Sequence, residues 1–223
     1  MIITIDGPSG TGKSTVARRL ADFLGMTYFD TGALYRAIAW KLLEEKVSYK
    51  NKEELVSLLK RFSFRIRVVN EEKHYFVGEI DVTKAIRSPE VTSIVSEVSA
   101  VKEVRDALKP LQTDFSKETD VVFEGRDLGT IVFPYADMKF YLTARPEVRA
   151  KRRFTELQKK FPDQKFSFET TLKEIQERDD YDSSREVAPL RQAEDAVLVD
   201  TSDLTIEEVV QKMAEITQNR VKK

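Results

Sequence analysis

The chain has 223 residues, with Lys+Arg 37 against Asp+Glu 38, a formal net charge of -1 and no cysteine. Such a length buries the core of one main domain with room for a smaller insert. The charge balance gives no overall pull toward nucleic acid or an anionic membrane. The missing thiols exclude disulfides, thiolate nucleophiles and Cys-ligated zinc, and fit a reducing compartment.

Ile2, Ile3 and Ile5 form a short apolar strand ending at Asp6. Gly7-Pro8-Ser9-Gly10-Thr11-Gly12-Lys13-Ser14-Thr15 then fits G-x-x-x-x-G-K-[ST] at every fixed position. In such a loop the glycines let backbone N–H groups converge on an anion, the next helix directs its positive dipole end there, and Lys13 adds a full charge. Ser14 is placed to touch a magnesium ion. The context is the one this motif needs: Val16, Leu20, Phe23 and Leu24 recur at helical spacing, and Gly25 closes the helix. A bound nucleoside triphosphate is the expectation.

Thr27 to Asp30 reads as a second strand, and Thr31 opens a helix with Leu34, Ile38 and Leu42 on one face. Asn51, with Glu54 at the third helical position, caps a further helix through Leu55, Leu58 and Leu59. The character changes at Phe62. Phe64, Ile66 and Val68 alternate with Arg65, Arg67 and Val69; Asn70 to Lys73 reads as a polar turn, and His74 to Val77 and Ile80 to Thr83 as further strands, an antiparallel meander. His74, the single histidine, lies there as a surface residue, so neither a histidine-rich metal site nor a Ser-His-Asp hydrolase is expected.

Ser88-Pro89 starts a helix that runs, with a break near Ser99, to about Phe115. Val121 to Glu124, Met138 to Thr143 and Ala196 to Thr201 are the remaining strands. Between the last two stand a basic helix from Arg145-Pro146 to about Lys160 and another from about Phe168 to Arg178 or beyond. Thr205 to Glu208 is a capping box for a C-terminal helix through Val209, Val210, Met213 and Ile216. The alternation predicts an α/β fold: a five-stranded parallel sheet covered by helices on both faces, with a small antiparallel insert. The core is assigned to 1–61 and 116–223, with a flap at about 150–166, and the insert to 62–115. No apolar stretch approaches the roughly 18 to 20 residues of a spanning helix, and the opening residues lack a secretion signal. A soluble, cytoplasmic monomer without nucleic-acid or membrane partners is the expectation.

Arginines gather where a phosphate enzyme needs them. Gly125-Arg126-Asp127 follows a strand, at the end of an α/β sheet where ligands collect, as do Gly7 to Thr15 and Asp30-Thr31-Gly32. Arg178, Asp182 and Arg185 share one face if that stretch is helical. The run Arg145, Arg149, Lys151, Arg152, Arg153 lacks the interleaved aromatics of a nucleic-acid patch and reads as a flap whose cations meet a triphosphate. The signals of a GTPase switch are misplaced: Asp22 to Gly25 matches D-x-x-G inside the first helix, and Asn51-Lys52 merely caps one.

Together, Gly7 to Thr15, Asp30-Thr31-Gly32-Ala33-Leu34-Tyr35-Arg36, Glu124-Gly125-Arg126-Asp127-Leu128-Gly129-Thr130, and Arg178-Asp179 to Asp182 to Arg185 with Ala188-Pro189-Leu190 resemble bacterial cytidylate kinases. The resemblance spans nearly the whole chain. Leu34 stands where many members have methionine, and Tyr181 and Ser183 where some carry more arginine. The resemblance implies transfer of the γ-phosphoryl of ATP to CMP or dCMP with Mg2+. It also implies that Thr31, Arg36, Arg126 and Arg185 hold the acceptor's phosphate region, that Arg178 and Asp182 meet its sugar, and that Ser96, Arg105 and Asp127 read its base. Lys13, Arg126 and Arg185 are the candidates for neutralising the transition state. Another small-molecule kinase, acting on UMP or a non-nucleotide acceptor, and a nucleotide-gated switch protein are the alternatives.

Overall fold

The computed structural model describes residues 1–70 and 72–221. Its contacts divide the chain into two compact units, Met1–Phe29 with Phe115–Lys223, and Asp30–Asp114.

The first unit is built on a five-stranded sheet. Its strands are β1 (Ile2–Asp6), β2 (Thr27–Asp30), β6 (Val121–Glu124), β7 (Met138–Thr143) and β8 (Val197–Asp200), in the order β2-β6-β1-β7-β8. β1 pairs parallel with β6 and β7, and β7 with β8, so these strands end at the same edge. On one face α1 (Lys13–Leu24) and α8 (Ile206–Val221) cover Ile3, Ile5, Val122, Phe140, Leu142 and Val199. Each fully buried aliphatic chain in such a layer contributes about 1.5–3 kcal/mol. On the other face Phe123 stacks on Phe133, ring centroids 4.5 Å apart, and meets Phe29 and Phe115. Two further helices, α6 (Pro146–Lys160) and α7 (Phe168–Ser184), pack together between β7 and β8 in the chain.

The second unit holds α2 (Thr31–Glu44), α3 (Lys52–Lys60), the antiparallel β3 (Phe64–Val69), β4 (Glu72–Val77) and β5 (Ile80–Asp81), and α4 (Pro89–Ala100). α5 (Lys102–Glu118) begins there. The unit is wider than the 62–115 insert read from sequence, because α2 packs Ala33 and Ala37 against Tyr75, Val77, Val82 and Ile86.

Three local readings are corrected. Phe23 is 52 % exposed: the buried stripe of α1 runs through Val16, Ala17, Leu20 and Ala21 and is centred about a quarter turn away. The hairpin turn is tighter than Asn70 to Lys73, since Glu72 and Lys73 already pair with Val69 and Val68; Glu71 lies outside the described residues. Val68, expected on the apolar side, is exposed near the end of that hairpin. The break expected near Ser99 is present: α4 ends at Ala100, and Val101 is in extended backbone before α5. Among the described residues no helix is long and apolar enough to cross a membrane.

Candidate active site

At the carboxyl edge of the sheet, β1 runs out at Asp6 into the phosphate-binding loop. Gly7 has φ 143°, and a Cβ there would stand 2.1 Å from the Leu142 carbonyl oxygen, so the loop leaves the sheet through a position only glycine can occupy. Gly12, also at positive φ, precedes α1 and supplies no side-chain cap. The first turn's N–H groups are thus left without the side-chain acceptor that Asp30, Asn51, Ser88 and Ser167 give to α2, α3, α4 and α7. Lys13 Nζ is buried and donates to the Pro8 carbonyl at 2.6 Å. Burial holds its pKa well below the usual lysine range, and the neighbouring Arg126 pushes the same way.

β6 ends beside this loop. The Ser14 hydroxyl donates to Glu124 Oε1 at 2.8 Å, and the Tyr28 hydroxyl reaches the same oxygen at 3.2 Å. Next in the chain come Arg126 and Asp127, and then a single π-helical turn, Leu128–Val132. Asp6 fixes that turn: its two carboxylate oxygens accept from Leu128 N–H at 3.0 Å and Gly129 N–H at 2.8 Å.

α7 brings the second group of cations. Arg178 and Asp182 lie one turn apart on the helix, and Arg185 is its C-cap. Asp182, 2 % exposed, receives three guanidinium groups: Arg126 Nε at 3.4 Å, Arg185 at 3.5 Å and Arg178 Nε at 3.9 Å. Asp127 pairs with Arg185 at 3.8 Å. Two carboxylates thus serve three arginines. The Arg178 Nε is buried and has no hydrogen-bond partner among the described residues; burial first, then Arg126, lowers its pKa to about 10. Desolvated cations with an unsatisfied donor are a receptor for an anion.

The basic run divides by position. Arg149 reaches the Ser9 carbonyl at 3.0 Å, and Arg152 reaches Thr201 and the Thr11 carbonyl. Arg145 pairs with Asp203 and Arg153 with Glu156, while Lys151 is exposed.

In the second unit Asp30 caps α2, accepting from Ala33 N–H at 3.1 Å, and Thr31 is buried beside it. Arg36 donates to the Ile86 carbonyl and to Thr92 Oγ1 at 2.9 Å. Ser96 is half-buried on α4. Arg105, buried at the start of α5, donates to the Ser99 carbonyl at 3.0 Å and lies over the Tyr35 ring. His74 stands on β4 with its ring 2.7 Å from Asp81. The expected residues therefore fall in two sets, one within each unit.

Sequence reading assigned no role to Asp6, Glu124 or Asp179. For the first two, position at a strand's carboxyl end was the available signal; Asp179 gave none beyond its place next to Arg178.

The family model for cytidylate kinase matches residues 3–219. The chain belongs to the cytidylate kinase family. It is 51 % identical to the cytidylate kinase of Protochlamydia amoebophila, covering 96 % of this chain and 95 % of the relative. The cytidylate kinase of Carboxydothermus hydrogenoformans is 47 % identical, covering 97 % of this chain and 96 % of the relative. A crystal structure of an uncharacterized protein from Eubacterium ventriosum shares the fold at 11 % identity, with a TM-score of 0.50 over 98 % of each chain. Membership of the cytidylate kinase family makes the chain a nucleoside monophosphate kinase.

Proposed function

We propose that the protein transfers the γ-phosphoryl group of ATP to CMP or dCMP, giving ADP and CDP or dCDP. The observation that carries the second, anionic ligand is the surplus of partly buried guanidinium around Asp182 and Asp127, with the Arg178 Nε lacking a hydrogen-bond partner among the described residues. A switch that only holds a triphosphate has no use for it.

ATP's phosphates lie on the loop Gly7 to Thr15, against the uncapped first turn of α1. An unprotonated oxygen of the acceptor phosphate attacks the γ-phosphorus, the bond from that phosphorus to the bridging oxygen breaks, and the oxygen leaves on ADP. Both reactants are anions and no proton has to move, so alignment and charge neutralisation are the chain's task. Lys13, Arg126 and Arg185 neutralise the charge of the transferring group; one well-placed arginine is worth roughly 10³ to 10⁵ in rate. The Ser14 hydroxyl and Glu124 carboxylate form an all-oxygen donor set that suits a hard divalent cation, and these two residues would hold Mg2+ with ATP. Mg2+ held there would supply positive charge that offsets the charge of ATP's phosphates.

In this reading Thr31, Arg36, Arg126 and Arg185 hold the acceptor phosphate, and Arg178 and Asp182 meet the sugar. Asp127 and the Ser96 hydroxyl accept from the cytosine amino group, while Arg105 donates to the ring's O2 and N3. Uracil would set a carbonyl oxygen against the Asp127 carboxylate.

The test is an acceptor panel. With ATP and Mg2+, ADP release should be fast with CMP and dCMP and at least tenfold slower with UMP, AMP and shikimate. Equal rates with UMP would remove the base-reading roles, and ATP hydrolysis at the same rate without acceptor would replace the kinase reading with a switch.

A further inference from the structure

Arg149 and Asp179 enclose one peptide unit of the phosphate-binding loop. The Ser9 N–H donates to Asp179 Oδ1 at 3.2 Å, and the Ser9 carbonyl accepts from Arg149 at 3.0 Å. The same guanidinium pairs with Asp179 Oδ2 and also donates to the Ala144 carbonyl at 3.0 Å. The circuit from Ser9 through Asp179 and Arg149 back to Ser9 is closed, and both ionic side chains are largely buried.

Packing reinforces it at the next residue. A Cβ on Gly10 would stand 2.9 Å from Arg149 Cβ and 3.0 Å from its carbonyl oxygen, so the loop's backbone lies directly on α6. Asp179 is on α7, beside Arg178 and less than one turn before Asp182. The ring therefore ties the loop to the helix that carries the other cluster of cations. A buried ion pair is a poor source of net stability, because desolvation offsets the Coulombic gain. What this one supplies is position: a planar, multidentate guanidinium and a carboxylate fix the direction of the peptide between them.

We propose that Arg149 and Asp179 are positioning residues, a clamp on the Ser9 peptide that sets the register of the donor loop against α7 and its arginines. The inference rests on the reading of Gly7 to Thr15 as the ATP site. Neither residue touches the reacting atoms; each acts through the loop.

The experiment compares Asp179→Asn, Arg149→Lys and the double variant with the unaltered enzyme, using equilibrium binding of ATP and of CMP separately, steady-state turnover and thermal melts. Asp179→Asn keeps an acceptor for Ser9 but loses the charge, and Arg149→Lys keeps the charge but loses the fork, so either serves if the other fails to fold. Loss of one buried charge-assisted contact corresponds to about a tenfold change. The Kd for ATP should rise and kcat at saturating substrates should fall by about that factor in each single variant, with the Kd for CMP within about twofold. The double variant should be no worse than the weaker single one. A lowered melting temperature with unchanged kcat and Kd for ATP would overturn the proposal by making the pair merely structural, and multiplicative losses in the double variant would overturn the pairing. Lys13→Ala separates the two readings. If it abolishes turnover while both clamp variants behave as the unaltered enzyme, the clamp fails and the ATP site stands; if Lys13→Ala binds ATP and turns over normally, the ATP site itself fails, and the clamp with it.

Discussion

Asp6 carries an electrostatic cost that its position makes useful. Its carboxylate accepts two backbone N–H groups, yet burial outweighs them and raises its pKa to about 6 from 3.8, with Asp127 adding to the rise and Lys13 opposing it. Tyr141 on β7, whose own pKa is raised by burial and then by Asp6, sits opposite in the sheet. Because the folded pKa lies above the unfolded one, the folded chain holds a proton between about pH 4 and 6 that the unfolded chain has released, and stability falls as pH rises through that window. The fall amounts to about 3 kcal/mol. Asp6→Asn removes it, so the unfolding free energy of the unaltered protein minus that of the variant should drop by about this amount from pH 4 to pH 7, in denaturant titrations. A difference that stays flat across that range would show that Asp6 is ionised throughout. The loop after Asp6 was legible because its chemistry is packed into consecutive letters. Asp6 itself was not, since its partners Leu128 and Gly129 lie 122 and 123 residues away, and no local pattern announces that the two strand ends meet.

At the scale of elements, α1 differs from α2, α3, α4 and α7 in lacking a side-chain cap at its N-terminus. Four orphan N–H groups open any helix; in the proposed function those of Lys13, Ser14 and Thr15 donate to ATP's phosphate oxygens. Addition of ATP alone should slow amide hydrogen exchange at Lys13 to Thr15, leaving the Ser88-capped first turn of α4 unchanged. No change at Lys13 to Thr15 would mean that the triphosphate does not lie on this turn. Capping residues also explain which element boundaries could be read in advance. Asn51, Ser88, Thr205 and Gly25 mark their ends by local hydrogen bonds or left-handed backbone. The length of the hairpin turn depends on strand pairing that single residues do not encode.

At the scale of the whole molecule, the sequence revealed that α2 has an apolar face but not what that face meets, and so the smaller unit begins at Asp30 rather than Phe62. Its own candidate residues are tied into it: Arg36 to the 3-10 turn Ala85–Arg87 and to α4, Arg105 to Ser99 and Tyr35. If the smaller unit serves the acceptor, damage there should be confined to one substrate. Arg105→Met should raise KM for CMP by about tenfold or more and leave KM for ATP unchanged in initial-rate assays; an unchanged KM for CMP would assign Arg105 to packing alone.

The carboxylate at Asp182 has a consequence for the medium in which the enzyme works. Three guanidinium groups share this buried carboxylate, and even with Asp127 counted the cluster keeps a net positive charge that draws anions from solution. Buried charges are screened far less than exposed ones. Ionic strength therefore acts mainly on the approach of substrate from solution, and hardly on the mutual arrangement of the arginines that receive it.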